Sequence, residues 1–146
     1  MPKSLPDFDL ERYLPYRFAV LAGRLSSELA RQYKSKYDIS MPEWRVLLNV
    51  GYAEDPSVRD IEKRVSLEKS KVSRAVAKLE TKGHLIKQID SSDRRLLKLT
   101  LTKQGVELLS ELIPIAQSFQ SELNVILGDQ EETLQLALDR LMDQSE

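Results

Sequence analysis

The chain has 146 residues, 41% of them apolar, with 22 Lys or Arg against 23 Asp or Glu, a composition that suits one globular domain with its own core. It contains no cysteine and a single histidine, His84, which excludes disulfides, thiolate metal sites, thiol nucleophiles, sulfenic-acid peroxide sensing and a His-rich metal site. No run of about eighteen apolar residues occurs, and the opening MPKSLPDFDLERYL lacks the basic-then-apolar order of a secretory signal, so the expectation is a cytoplasmic protein with no membrane partner.

From about Tyr13 to Tyr37, Phe18, Leu21, Leu25 and Leu29 recur at steps of three and four, predicting one long helix after a loose arm. In ISMPEWRVLLNV, Ser40 and Glu43 have capping-box spacing and Ile39 and Trp44 are placed as a hydrophobic staple, so a second helix runs to about Val50. Ser57 and Asp60 repeat the capping-box spacing before a short helix with Val58, Ile61 and Val65 on one face, ending near Arg64. Ser66 is placed to cap the next helix, whose stripe is Leu67, Val72, Val76 and Leu79 and whose stop is Gly83. Two helices joined by so short a turn have the helix-turn-helix pattern.

The period then becomes two. Leu85, Lys87 and Ile89 share one phase, Leu97, Leu99 and Leu101 another, and the polar loop DSSDRR between them marks a hairpin. Thr102 caps a long helix from Lys103 with Val106, Leu109, Leu112, Ile113, Ala116, Phe119 and Leu123 on a broad face, where Pro114 should introduce a kink. After LGDQ, Leu134, Leu138, Leu141 and Met142 define a last helix. The fold expected is mainly α with a small β-hairpin wing. A winged helix-turn-helix module at about 40–102 is flanked by long helices, about 10–38 and 103–146, that serve dimerisation.

Charge is unevenly spread. Between Ser57 and Lys103 there are thirteen Lys or Arg against six Asp or Glu, whereas from Gln104 onward Arg140 is the only basic residue among nine acidic ones. A basic module in an acidic frame points to a polyanion. The face of the second helix-turn-helix helix opposite its apolar stripe carries Ser70, Lys71, Ser73, Arg74, Ala77 and Lys78, a combination that a DNA major groove accepts: cations for guanine edges and phosphates, small residues for close approach. In the hairpin loop, Arg94 and Arg95 form a tip able to reach the neighbouring minor groove, and Asp93 is placed to hold the Arg95 guanidinium by a charge-assisted bond.

DSSDRRLLKLTLTKQG resembles the wing of the MarR family of regulators: an Asp, any residue, an Arg, an apolar strand, Leu-Thr, and a Gly three residues after the Thr, matched by Asp93, Arg95, Leu101, Thr102 and Gly105. VSLEKSKVSRAVAKLETKGHL is similar to the family's recognition helix with its closing Lys-Gly, and MPEWRVL resembles the start of its second helix. The resemblance implies a homodimer on a pseudo-palindromic operator of double-stranded DNA, acting as a repressor, and in many members a small aromatic or phenolic ligand that releases DNA. It also implies that Arg95 enters the minor groove with Asp93 as its support, that Ser70, Lys71, Ser73 and Arg74 face the major groove, and that Lys78 meets phosphate. Thiol-based redox control is excluded for this chain.

A winged helix needs roughly 70 to 90 residues, so the terminal helices have another purpose, and two-fold pairing of their apolar faces supplies it. A ligand wedged between that frame and the winged module would change the spacing of the two recognition helices and so lower operator affinity. Tyr13, Tyr16, Phe18 and Trp44 are the aromatics near the junction, with Arg17 and Arg45 as partners for an anion; Tyr16, Arg17, Trp44 and Arg45 are the ligand candidates. The rival reading is a winged helix used for protein contacts without sequence-specific DNA binding, because fold does not fix function. No Gly-rich phosphate loop or GxSxG turn occurs, and adjacent carboxylates such as Glu131 and Glu132 do not face each other on a helix, so no enzyme, cofactor or metal site is expected.

Overall fold

A computed structural model of the chain describes residues 4–54, 56–65 and 67–144. Its elements follow the order α1 (Leu14–Tyr37), α2 (Met41–Tyr52), α3 (Val58–Arg64), α4 (Lys69–Thr81), β1 (Leu85–Ile89), β2 (Leu97–Leu101), α5 (Lys103–Leu127) and α6 (Glu131–Asp143), with 3-10 turns at Leu10–Arg12 and Gly128–Gln130.

The helix boundaries have local chemical causes. At α2 the Ser40 hydroxyl accepts from the Glu43 amide while the Glu43 carboxylate accepts from the Ser40 amide, and Ser57 and Asp60 repeat this reciprocal pair at α3. α1 ends where Asp38 turns left-handed (φ 55°), its amide donating to the Lys34 carbonyl. α4 ends in a Schellman turn: Gly83 is left-handed (φ 85°), its N–H donates to the Glu80 carbonyl, and the His84 N–H donates to the Leu79 carbonyl. The start of α4 differs from expectation. Glu68 holds the N-cap position without a side-chain cap bond, and the expected cap, Ser66, lies outside the described residues. α5 is one continuous helix through Pro114.

Strands β1 and β2 pair antiparallel, Leu85 with Leu101, Lys87 with Leu99 and Ile89 with Leu97. Leu85 and Leu99 are buried at the base, whereas Ile89 and Leu97 are exposed where the hairpin leaves the core. The sequence pattern gave no sign of a third segment on this sheet. The Leu99 N–H donates to the Pro56 carbonyl at 2.9 Å and Ser57 bridges Lys98, so the chain entering α3 covers the outer edge of β2.

α2 lies centrally, against α4, β2, α5, α3 and α1. One core joins Tyr33 of α1, Val46 and Leu47 of α2, Ile61 of α3, Val72, Val76 and Leu79 of α4, the wing's Leu85 and Leu99, and Leu109 and Leu112 of α5. It therefore crosses both expected seams between module and frame. Tyr33 is the key link: its ring lies 4.8 Å from that of Trp44, and its hydroxyl donates to the Leu112 carbonyl at 3.1 Å. Burial raises the Tyr33 phenol pKa to about 12. Beyond this core the outer half of α1, the end of α5 and all of α6 contribute no buried side chain. No helix among the described residues is long and apolar enough to cross a membrane.

Candidate nucleic-acid interface

The inner face of α4 is fixed by Val72, Ala75, Val76 and Leu79, all buried, which leaves Ser70, Lys71, Ser73, Arg74, Ala77 and Lys78 in solvent. Lys71, Arg74 and Lys78 also line a shallow groove of about 320 Å³ with Ser40 and Pro42 from the start of α2. A pair between Lys87 and Glu80, at 3.3 Å, joins β1 to α4.

The wing tip is organised by its own carboxylates. Asp90 accepts from the Ser92 amide and hydroxyl, both at 3.0 Å, and pairs with Lys98 at 3.9 Å. Asp93 accepts from Arg95 three times: from Nε at 3.0 Å, from a terminal guanidinium nitrogen at 3.1 Å and from the backbone amide at 3.1 Å. The two side-chain bonds form a bidentate fork that fixes the plane of the guanidinium. Arg95 nevertheless stays 86% exposed, so the fork orients the cation without withdrawing it from solvent. The hydrogen bond from Arg95 holds the Asp93 carboxyl below its usual pKa, and bonds from Ser92 do the same for Asp90. Arg94 is exposed beside it.

The base of the wing explains the Leu-Thr and Gly of the motif. The Thr102 hydroxyl accepts from the Gly105 amide at 3.0 Å, capping α5, and donates to the Gly83 carbonyl at the end of α4; the Thr102 amide donates to the His84 carbonyl at 3.1 Å. A Cβ at Gly105 would stand 2.0 Å from the His84 carbonyl oxygen. Glycine is thus required there by close approach, and the three residues join α4, β2 and α5 at one point.

The ligand candidates are not brought together. Tyr16 and Arg17 are exposed and line an open groove of about 540 Å³ along α1 with Leu14, Phe18, Leu21 and Arg24. Trp44 is buried against Tyr33, and Arg45 reaches the Ser26 hydroxyl at 3.3 Å; neither lines that groove. One cluster escaped the sequence analysis. Lys82 donates to Glu43 Oε2 at 2.9 Å and to the Asp38 carbonyl at 2.8 Å, and its only sequence trace was the role of Glu43 in the α2 capping box.

A helix-turn-helix whose second helix is followed by a two-stranded wing is a winged helix-turn-helix fold. The sequence profile of the MarR family matches residues 37–96, from the end of α1 into the wing. The HTH-type transcriptional regulator SarZ of Staphylococcus saprophyticus is 29% identical over 135 residues, covering 88% of this chain and 90% of its own. The crystal structure of a MarR/EmrR family transcriptional regulator from Acinetobacter sp. ADP1 superimposes with a TM-score of 0.85 at 28% identity, over 94% of this chain and 98% of that one. The S. aureus MepR–DNA complex shares the fold, with a TM-score of 0.79 at 18% identity over 92% of this chain and 99% of that one. Residues 37–96 thus match the MarR family profile, and the chain is similar along most of its length to MarR-family winged-helix transcriptional regulators.

Proposed function

We propose that the protein binds a pseudo-palindromic operator as a homodimer and represses transcription by occupying promoter DNA. The observation that carries this reading is the Asp93–Arg95 fork on an exposed wing whose base is joined to α4. An arginine already oriented loses little freedom on entering a narrow minor groove. Arg94 adds a second cation at the tip; Ser70, Lys71, Ser73 and Arg74 meet the major groove; Lys78 meets phosphate. The fold is shared with S. aureus MepR, a protein solved in complex with DNA, which is consistent with this reading.

Dimerisation is supported by the terminal helices. Val125 and Ile126 at the end of α5 are 82% and 80% exposed, and Leu136 and Met142 of α6 are exposed as well. Large apolar side chains left in solvent on consecutive helices are candidates for an interface, and two-fold pairing is the commonest cover. Two recognition helices about one duplex turn apart, roughly 34 to 36 Å, would then read two half-sites. The groove along α1 suits a small aromatic or phenolic anion, with Tyr16 offering a ring and Arg17 and Arg24 a positive charge. Binding there would act through the dimer frame and release DNA.

Selection of bound sequences from random duplex DNA with the purified protein tests the reading. A two-fold symmetric consensus is the expected result. Failure to enrich any sequence at low ionic strength would leave the fold to the rival use, protein contacts alone.

A further inference from the structure

Thirteen cations lie in the basic module, and one of them, Lys82, is engaged by groups of the same chain while its side chain stays 31% exposed. Its ammonium donates to Oε2 of Glu43 at 2.9 Å and to the carbonyl of Asp38 at 2.8 Å. The other Glu43 oxygen accepts from the Ser40 amide at 3.2 Å and the Ser40 hydroxyl at 2.9 Å, and the Glu43 side chain is only 3% exposed. These partners sit at three helix ends. Asp38 is the left-handed cap of α1, Ser40 and Glu43 form the capping box of α2, and Lys82 is the C-cap of α4. α1 and α4 share no extensive packing of their own, since α2 lies between them.

We infer that Lys82 is a positioning residue that fixes the orientation of the recognition helix α4 relative to α1, the helix that enters the dimer frame. A buried carboxylate must be paired, so Glu43 holds the ammonium in place. The ammonium has three donors and no acceptor, and it spends two of them on groups from different helices. α4 is thereby tied at its C-terminal end to the helix whose outer half faces the partner, while its DNA face stays free. In a dimer this link sets the separation and angle of the two recognition helices. This inference rests on the dimeric DNA-binding reading for its consequence, but the link itself is a property of one chain.

The test removes both charges together, because Lys82→Met alone would strand a buried carboxylate and unfold the chain. In Glu43→Gln/Lys82→Met the amide oxygen still accepts from Ser40, which keeps the cap. The parent lacks cysteine, so Gln32→Cys on α1 and Ala77→Cys on α4, both exposed positions, take spin labels cleanly. Labelled chain diluted with excess unlabelled chain reports the distance within one chain by dipolar spectroscopy. The link predicts a narrow distribution in the parent and a broadened or displaced one in the double variant, with Lys82→Arg restoring the parent's. Without labels, the double variant should lose at least roughly fivefold in affinity for the selected two-half-site duplex, while affinity for the same duplex cut to one half-site stays within about twofold. A distance distribution unchanged in a folded double variant overturns the inference, as does an equal loss on whole and half sites. If the parent binds no duplex, the proposed function fails, and the distance measurement still decides whether the link exists.

Discussion

Gly105→Ala against Gly51→Ala is the sharpest test of how the wing is fixed to the core, because the two substitutions add the same atom to a helix and meet different obstacles. At Gly105 the new Cβ would stand 2.0 Å from the His84 carbonyl oxygen, a backbone atom that also accepts the Thr102 amide. Relief requires α5 to move off the end of α4, which strains packing by about 1–3 kcal/mol. The same movement stretches the hydrogen bonds from Thr102 to the Gly83 and His84 carbonyls, worth about 1 kcal/mol. Helix propensity returns up to about 1 kcal/mol, so the net loss is about 1–3 kcal/mol. At about 2–4 °C per kcal/mol for a chain of this size, the melting temperature should fall by roughly 2–12 °C. At Gly51 the Cβ meets Leu109 Cδ2 at 2.5 Å, a side-chain methyl that a rotamer change costing about 0.5–1.5 kcal/mol moves aside. There the propensity gain offsets the strain to within about 1 kcal/mol. Thermal and urea unfolding at one fixed protein concentration measures both. A Gly105→Ala protein as stable as Gly51→Ala would refute the claim that α5 and the α4–β1 turn meet backbone to backbone.

Arg95→Ala should weaken binding to the selected duplex roughly tenfold with the oligomer intact, and Asp93→Asn should weaken it less, since the cation remains but loses its fork; gel-shift titration at fixed salt measures both. Lys78→Ala should lower affinity for selected and random duplexes alike and flatten the salt dependence by about one unit or less, which a salt series checks. Ile126→Glu, on a side chain 80% exposed in the single chain, should leave helix content unchanged and shift the dimer to monomer in light scattering. His84 should make stability acid-sensitive. Burial, with Lys82 nearby, lowers its pKa below 6.5, and among the described residues its buried Nδ1 has no hydrogen-bond partner, so the unfolded chain takes up the proton more readily. The His84 contribution is therefore fully present above pH 6.5 and lost as pH falls below it. His84→Gln should melt with a shallower decline than the parent between pH 7 and 5.5.

What the sequence disclosed was local. Both capping boxes, the Thr102 cap, the Gly83 stop and the Asp93–Arg95 fork join residues two to four apart, or turn on one backbone conformation, so residue type and spacing suffice to find them. The two strands were equally legible, because Leu85, Lys87 and Ile89 alternate along one and Leu97, Leu99 and Leu101 along the other; which residue faces which was not. The contacts that hold these pieces together were hidden. Lys82 reaches Glu43 across 39 positions and Tyr33 reaches Leu112 across 79, and a long Lys or an aromatic Tyr carries no mark of its distant partner. Trp44, an aromatic near a junction and so a candidate ligand contact, stands four residues past the Ser40 cap on the inner face of α2, where it packs on Tyr33.

The same long-range contacts decide whether the DNA-reading part is a separable unit. The charge profile divides sharply at Lys103, and cutting there would seem to release a basic module from an acidic frame. The core does not divide at that point. Leu109 and Leu112, both buried, enter it from the first turns of α5, Gly105 seats α5 on the wing, and Leu112 offers the carbonyl that satisfies Tyr33. A chain ending at Leu101 would lose two large buried side chains, at about 2–5 kcal/mol each, against a total stability of about 5–15 kcal/mol. Such a fragment would unfold, so its failure to dimerise would say nothing about the interface. The exposed apolar residues beyond Phe119 are the part of α5 that a partner covers in the proposed dimer, so α5 is one continuous helix with its first turns in the core beneath the wing and its last turns outside that core.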